Sequence, residues 1–139
     1  MRVALLGSGR GSNADAVLRA QVEGRLGKAK VVGIWCDVPT CKMLELGPKY
    51  GVPARFLDTG PFKTKFSPER EQAWAEALKA AQVDLVVLAG FMRVIKAPLL
   101  DAFAECDAEP DRPSVVFAYT VKGFGLPIAG HPRNHSALL

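Results

Sequence analysis

The stretch "LLGSGRGSN", residues 5–13, is the first pattern in the chain that can do chemistry. Gly7, Gly9 and Gly11 let a backbone turn sharply and approach a ligand closely. If a helix opens at Ser12, its free first amides and its dipole attract an anion. On that reading the amides of Gly11, Ser12 and Asn13, with the Asn13 side chain, cradle a monophosphate. On the other, the stretch is a tight strand-to-helix turn capped by Ser12. Spacing alone leaves both open but excludes two relatives. Ser12 stands where the dinucleotide fingerprint needs its third glycine, and no Gly-Lys-Ser/Thr follows as a Walker A loop requires.

The second pattern is "GFMRV", residues 90–94, directly after an apolar run. Phe91 and Met92 suit the face of a flat heterocycle, and Arg93 suits an anionic group. The same residues also read as two core side chains beside a surface charge. Both histidines, His131 and His135, lie with Asn134 in "GHPRNH", beyond Gly123, Gly125 and Gly130. A general base must stand within hydrogen-bond reach of its proton, and a glycine-rich tail does not enforce that. Cys36, Cys41 and Cys106 have no metal-type spacing and no histidine near them, so idle thiols and no metal site are expected.

Elements that position these residues follow from the patterning. Residues 1–6 read as a strand, 12–23 as a helix with Val17, Ala20 and Gln21 on one face, and 30–36 as a second strand. Residues 40–50 make a poor helix because Gly47-Pro48 interrupts it, and 54–57 a short strand. Ser67 caps and Pro68 opens a helix whose stripe is Trp74, Leu78 and Ala81. "LVVLA", 85–89, is apolar on both faces, as a buried parallel strand is. A short helix over 98–104 and a fifth strand, "SVVFAYTV" at 114–121, complete the pattern. The alternation predicts an α/β fold: a doubly wound, mainly parallel, five-stranded Rossmann-like sheet with helices on both faces. In such sheets ligands sit at the carboxyl ends of the strands where the order reverses, which places loops 7–13 and 90–95 at one site.

Composition sets the limits. The 139 residues suit a single domain; 49% are hydrophobic and 23% charged. No run approaches the roughly 20 apolar residues of a membrane helix, and "MRVALLG" is no signal peptide, so a cytoplasmic protein without a membrane partner is expected. The net charge of +4 is dispersed, which argues against a nucleic-acid partner and fits a small phosphate-bearing ligand.

"GSGRGSN" after the first strand, with "VDLVVLAGFMRVIKAPLLDAF" later, resembles glycinamide ribonucleotide (phosphoribosylglycinamide) formyltransferase, over about residues 1–104. The resemblance implies that Gly11, Ser12 and Asn13 hold the substrate phosphate. It also implies that Phe91, Met92, Arg93, Val94 and Ile95 line a folate pocket, with Lys65 of "FKTKFSPE" near the ligand. The family's fifth strand carries Asn-x-His-Pro-Ser and a later loop an Asp. Here that strand has neither Asn nor His, and the chain ends before the loop. Residues 107–139, "DRPSVVFAYTVKGFGLPIAGHPRNHSALL", are instead similar to thiamine-diphosphate-dependent pyruvate dehydrogenase E1 and transketolase-like enzymes, without their Gly-Asp-Gly…Asn motif. No thiamine diphosphate is therefore expected.

Together these resemblances imply a chimera: formyltransferase units over 1–104, a junction at about 105–112, a grafted strand over 113–121 and a glycine-rich tail over 122–139. The expected function is an inactive folded domain with weak phosphate or ribonucleotide binding and no required cofactor. The alternative is a working phosphoribosylglycinamide formyltransferase that uses 10-formyltetrahydrofolate. A sheet edge left open after strand five predicts a homodimer through the C-terminal region.

Overall fold

The computed structural model describes residues 1–96 and Leu99. Four strands form one parallel sheet: β1 (Arg2–Gly7), β2 (Lys30–Cys36), β3 (Ala54–Phe56) and β4 (Leu85–Leu88). Their order is β3-β2-β1-β4. Three helices, α1 (Ser12–Val22), α2 (Leu46–Tyr50) and α3 (Pro68–Ala80), connect them, with a 3-10 turn at Lys42–Glu45 before α2. The fifth strand, the 98–104 helix apart from Leu99, the junction and the tail expected from the sequence lie outside the described residues.

Alternate side chains of β1 serve two cores, as the period of two in a strand dictates. Val3 and Leu5 pack with Ala14 and Leu18 of α1, Met43 and Leu46. Ala4 and Leu6 pack with Trp74 and Leu78 of α3, Trp35 of β2 and Leu99. Apolar residues on both faces are what a buried parallel strand requires, and β1 is buried throughout after Arg2.

Three local expectations need correction. The cap of α1 is Gly11, left-handed at φ 80, and not Ser12. The buried face of α1 is Ala14, Leu18 and Ala20, shifted from the expected stripe; Gln21 instead accepts a hydrogen bond from the Val31 amide at 2.6 Å. Ser67 does stand before α3, but its side chain makes no capping hydrogen bond. Pro48 is accommodated because it falls in the first turn of α2, where its missing N–H leaves no helical bond unmade.

Candidate functional site

β1 and β4 are neighbours and run parallel, while β2 and β3 extend from the other side of β1. Chain order therefore reverses between β1 and β4, and in such sheets ligands bind at the carboxyl ends of the strands at that point. The loops leaving these two strands are the two motifs singled out above. They are joined directly. The Ser8 amide donates to the Gly90 carbonyl at 3.2 Å, and the Met92 amide donates to Ser8 Oγ at 2.9 Å.

The glycine loop rests on Met43. A side chain added at Gly11 would put its Cβ 2.8 Å from Met43 Cβ, at a φ that L-residues rarely adopt. At Gly7 the added Cβ would lie 2.9 Å from the Ala89 carbonyl and against Met43 Sδ. The Gly9 carbonyl accepts from the Met43 amide at 3.2 Å and the Cys41 thiol at 3.1 Å. The loop is thus held from beneath by the segment after β2, which sequence reasoning missed. Above it, Ser12 and Asn13 are exposed. Among the described residues no side chain caps α1. The turn-capped-by-Ser12 reading therefore lacks its capping bond, and the first-turn amides stay available to a ligand.

The 91–95 stretch divides. The Phe91 ring packs 6.0 Å from Phe66 and 5.4 Å from Trp74, centroid to centroid, and Ile95 packs on the same core. Met92 and Val94 stand out from it, 73% and 53% exposed. Lys65 forms an isolated parallel bridge with Val94, and the Val94 amide donates to the Thr64 carbonyl at 2.9 Å, so the segment carrying Lys65 lies beside this loop. Lys65 Nζ lies 4.3 Å above the Phe62 ring.

Arg93 is not the unattached cation its sequence position suggests. Its Nε donates to Asp37 Oδ2 at 2.5 Å, and its Nη1 donates to the Phe62 carbonyl. The Asp37 side chain is buried and its other oxygen, Oδ1, has no partner among the described residues. Asp37 follows β2 directly, so the pair spans from the end of β2 to the loop after β4. Asp37 is thus a residue the sequence reading passed over. Glu71, buried on α3, anchors the other end of the loop by accepting from the Lys96 amide at 2.7 Å. Among the described residues no group of three His, Cys, Asp or Glu could hold a metal ion, and no helix is long and apolar enough to cross a membrane. A cavity of about 180 Å³ lies elsewhere, lined by Trp35, Arg55 and the end of α3.

The formyl transferase family model matches residues 1–106. The chain is 31% identical over 102 residues to phosphoribosylglycinamide formyltransferase of Bacillus subtilis (strain 168), covering 73% of this chain and 51% of that protein. It is 37% identical over 100 residues to the trifunctional purine biosynthetic protein adenosine-3 of Drosophila melanogaster, covering 71% of this chain and 7% of that one. Among solved structures, glycinamide ribonucleotide transformylase 1 from Symbiobacterium toebii superposes with a TM-score of 0.68 at 32% identity, covering 88% of this chain and 55% of that one. The chain thus spans about half the length of these single-function relatives.

Proposed function

The chain belongs to the formyl transferase family, and from that premise we propose that it carries the ribonucleotide-binding half of a phosphoribosylglycinamide formyltransferase. The reaction is attack of the substrate amine on the formyl carbon of 10-formyltetrahydrofolate. The observation that carries this reading is the union of the two motif loops at the β1–β4 switch point through Ser8, Gly90 and Met92. The amides of Gly11, Ser12 and Asn13 take the substrate phosphate at the start of α1, where the helix dipole favours an anion. Met92 and Val94 offer apolar contact to the folate ring system, with Lys65 beside them. Arg93 and Asp37 set the position of that loop, and Phe91 ties it to the core.

Formyl transfer also needs a proton shuttle and a stabiliser for the tetrahedral oxyanion. Neither histidine is among the described residues, so those roles fall to groups outside them. A fifth strand over 113–121 would complete the doubly wound sheet. The relatives are formyltransferases and back a working enzyme better than the inactive chimera expected from residues 107–139.

The test has two arms. Phosphoribosylglycinamide or inorganic phosphate, titrated into the purified chain by NMR, is expected to bind at millimolar concentration or tighter, and Asn13→Ala or Gly11→Val to abolish it. No binding at millimolar concentration refutes the cradle. Formylation with 10-formyltetrahydrofolate is expected to be detectable. Ribonucleotide binding without turnover would instead support the inactive composite.

A further inference from the structure

A pair of thiols that formyl transfer leaves unused lies directly beneath the glycine loop. Cys36 ends β2 and Cys41 begins the segment carrying Met43. A turn closed by the Cys41 amide donating to the Val38 carbonyl at 3.1 Å folds the chain back between them. Both cysteines are reduced and buried, with their sulfurs 3.0 Å apart. The Cys41 thiol also reaches the Gly9 carbonyl at 3.1 Å.

We propose that Cys36 and Cys41 are a site of reversible disulfide formation whose oxidation loosens the glycine loop. The oxidant is a hydroperoxide such as hydrogen peroxide. Cys41 is the slightly more accessible of the two, 6% against 0% exposed, and reacts first. Its thiolate attacks one peroxide oxygen, the O–O bond breaks, hydroxide leaves and a sulfenic acid forms. The Cys36 thiolate then attacks the Cys41 sulfur, the S–O bond breaks and a second hydroxide leaves. With the two thiol protons the balance is two thiols plus one peroxide giving one disulfide and two waters. The sulfurs need to close by about 1 Å to reach disulfide length.

The consequence follows from what the Cys41 thiol does now. As a disulfide it has no proton to give, so the Gly9 carbonyl keeps only the Met43 amide. Drawing Cys41 toward Cys36 also pulls on Met43, two residues on, whose Cβ and Cα are the surface against which Gly11 packs. Burial pushes the Cys36 thiol well above the usual range, with the Cys41 thiol beside it adding to the effect. The second step is therefore slow at neutral pH and quickens as pH rises.

The experiment uses the full chain with Cys106→Ser, so that only the two cysteines of interest remain. After hydrogen peroxide, intact mass is expected to fall by about 2 Da and both titratable thiols to vanish, with dithiothreitol reversing both. Amide hydrogen exchange across residues 8–13 and 41–43 is expected to quicken by about tenfold or more, while the β1 interior stays protected. Cys36→Ser and Cys41→Ser should show neither change. A gain of oxygen mass without a disulfide, or a disulfide that leaves exchange in the glycine loop unaltered, overturns the proposal. The readout needs no ligand. A phosphate titration of the reduced chain alongside it shows separately whether the formyltransferase reading has failed.

Discussion

Gly11 is the position where the structure makes its sharpest energetic demand. Replacing it with Ala adds a single methyl group, and two costs follow. The first is conformational. At φ 80 an L-residue meets the left-handed penalty of roughly 1–2 kcal/mol. The second is steric. The methyl would lie 2.8 Å from Met43 Cβ and 3.0 Å from Met43 Cα. Cα is backbone and Met43 is fully buried, so relief requires moving the segment after β2; overpacking of this kind costs about 1–3 kcal/mol. The sum is about 2–5 kcal/mol, a large share of the roughly 5–15 kcal/mol that holds a domain of this kind folded. Gly24 separates the two costs. Its φ is 70, and an added Cβ there meets nothing within 4 Å, so Gly24→Ala carries the conformational cost alone. Urea unfolding of wild type, Gly11→Ala and Gly24→Ala, read as midpoint shifts at a common slope, gives the difference directly. Gly11→Ala should be the worse by about 1–3 kcal/mol. Equal losses would mean that Met43 does not press against the loop, and the account of how the cradle is held would fail.

Two further outcomes test other parts of the molecule. A methyl at Gly33 would lie 2.3 Å from Cη2 and 2.4 Å from Cζ3 of the buried Trp35 ring. Gly33→Ala is therefore expected to destabilise by about 1–3 kcal/mol, and adding Trp35→Phe should recover part of that loss, seen as non-additive melting temperatures. Asp15 accepts hydrogen bonds from Lys49, Arg19 and Tyr50, and these hold its carboxyl far below the ordinary carboxylate range. A depressed folded-state pKa stabilises fully above the unfolded value near about 3.9 and fades as pH falls below it. Asp15→Asn should therefore lower the melting temperature at pH 6, and the difference from wild type should shrink towards pH 2 and also in high salt. A difference that stays constant across that range would exclude the ionic origin.

Much of the architecture was legible in the residues because it follows from local rules. Lys30–Cys36 is a strand with the bounds its residues imply, since β-branched and aromatic residues in an unbroken apolar run suit a buried parallel strand. Pro68 opened α3 as expected because its fixed φ suits the first helical turn. The helix stripes were less exact. In α1, spacing alone puts Gln21 among the inward residues, whereas its side chain accepts a hydrogen bond from the Val31 amide in β2.

The sequence by itself determined the alternation of strands and helices, the two motifs that follow the first and fourth strands and the likeness to formyl transferases. Each of these depends on residues near one another in the chain. Only the tertiary structure decided that Met43 forms the floor of the glycine loop, that Asp37 takes Arg93, and that Phe91 faces Trp74 and Phe66. It also brought Cys36 and Cys41 together beneath Gly9. Those pairings join segments up to 56 residues apart for Asp37 and Arg93. No spacing rule reaches across such a gap; the order of strands in the sheet does, by setting the ends of β2, β1 and β4 side by side.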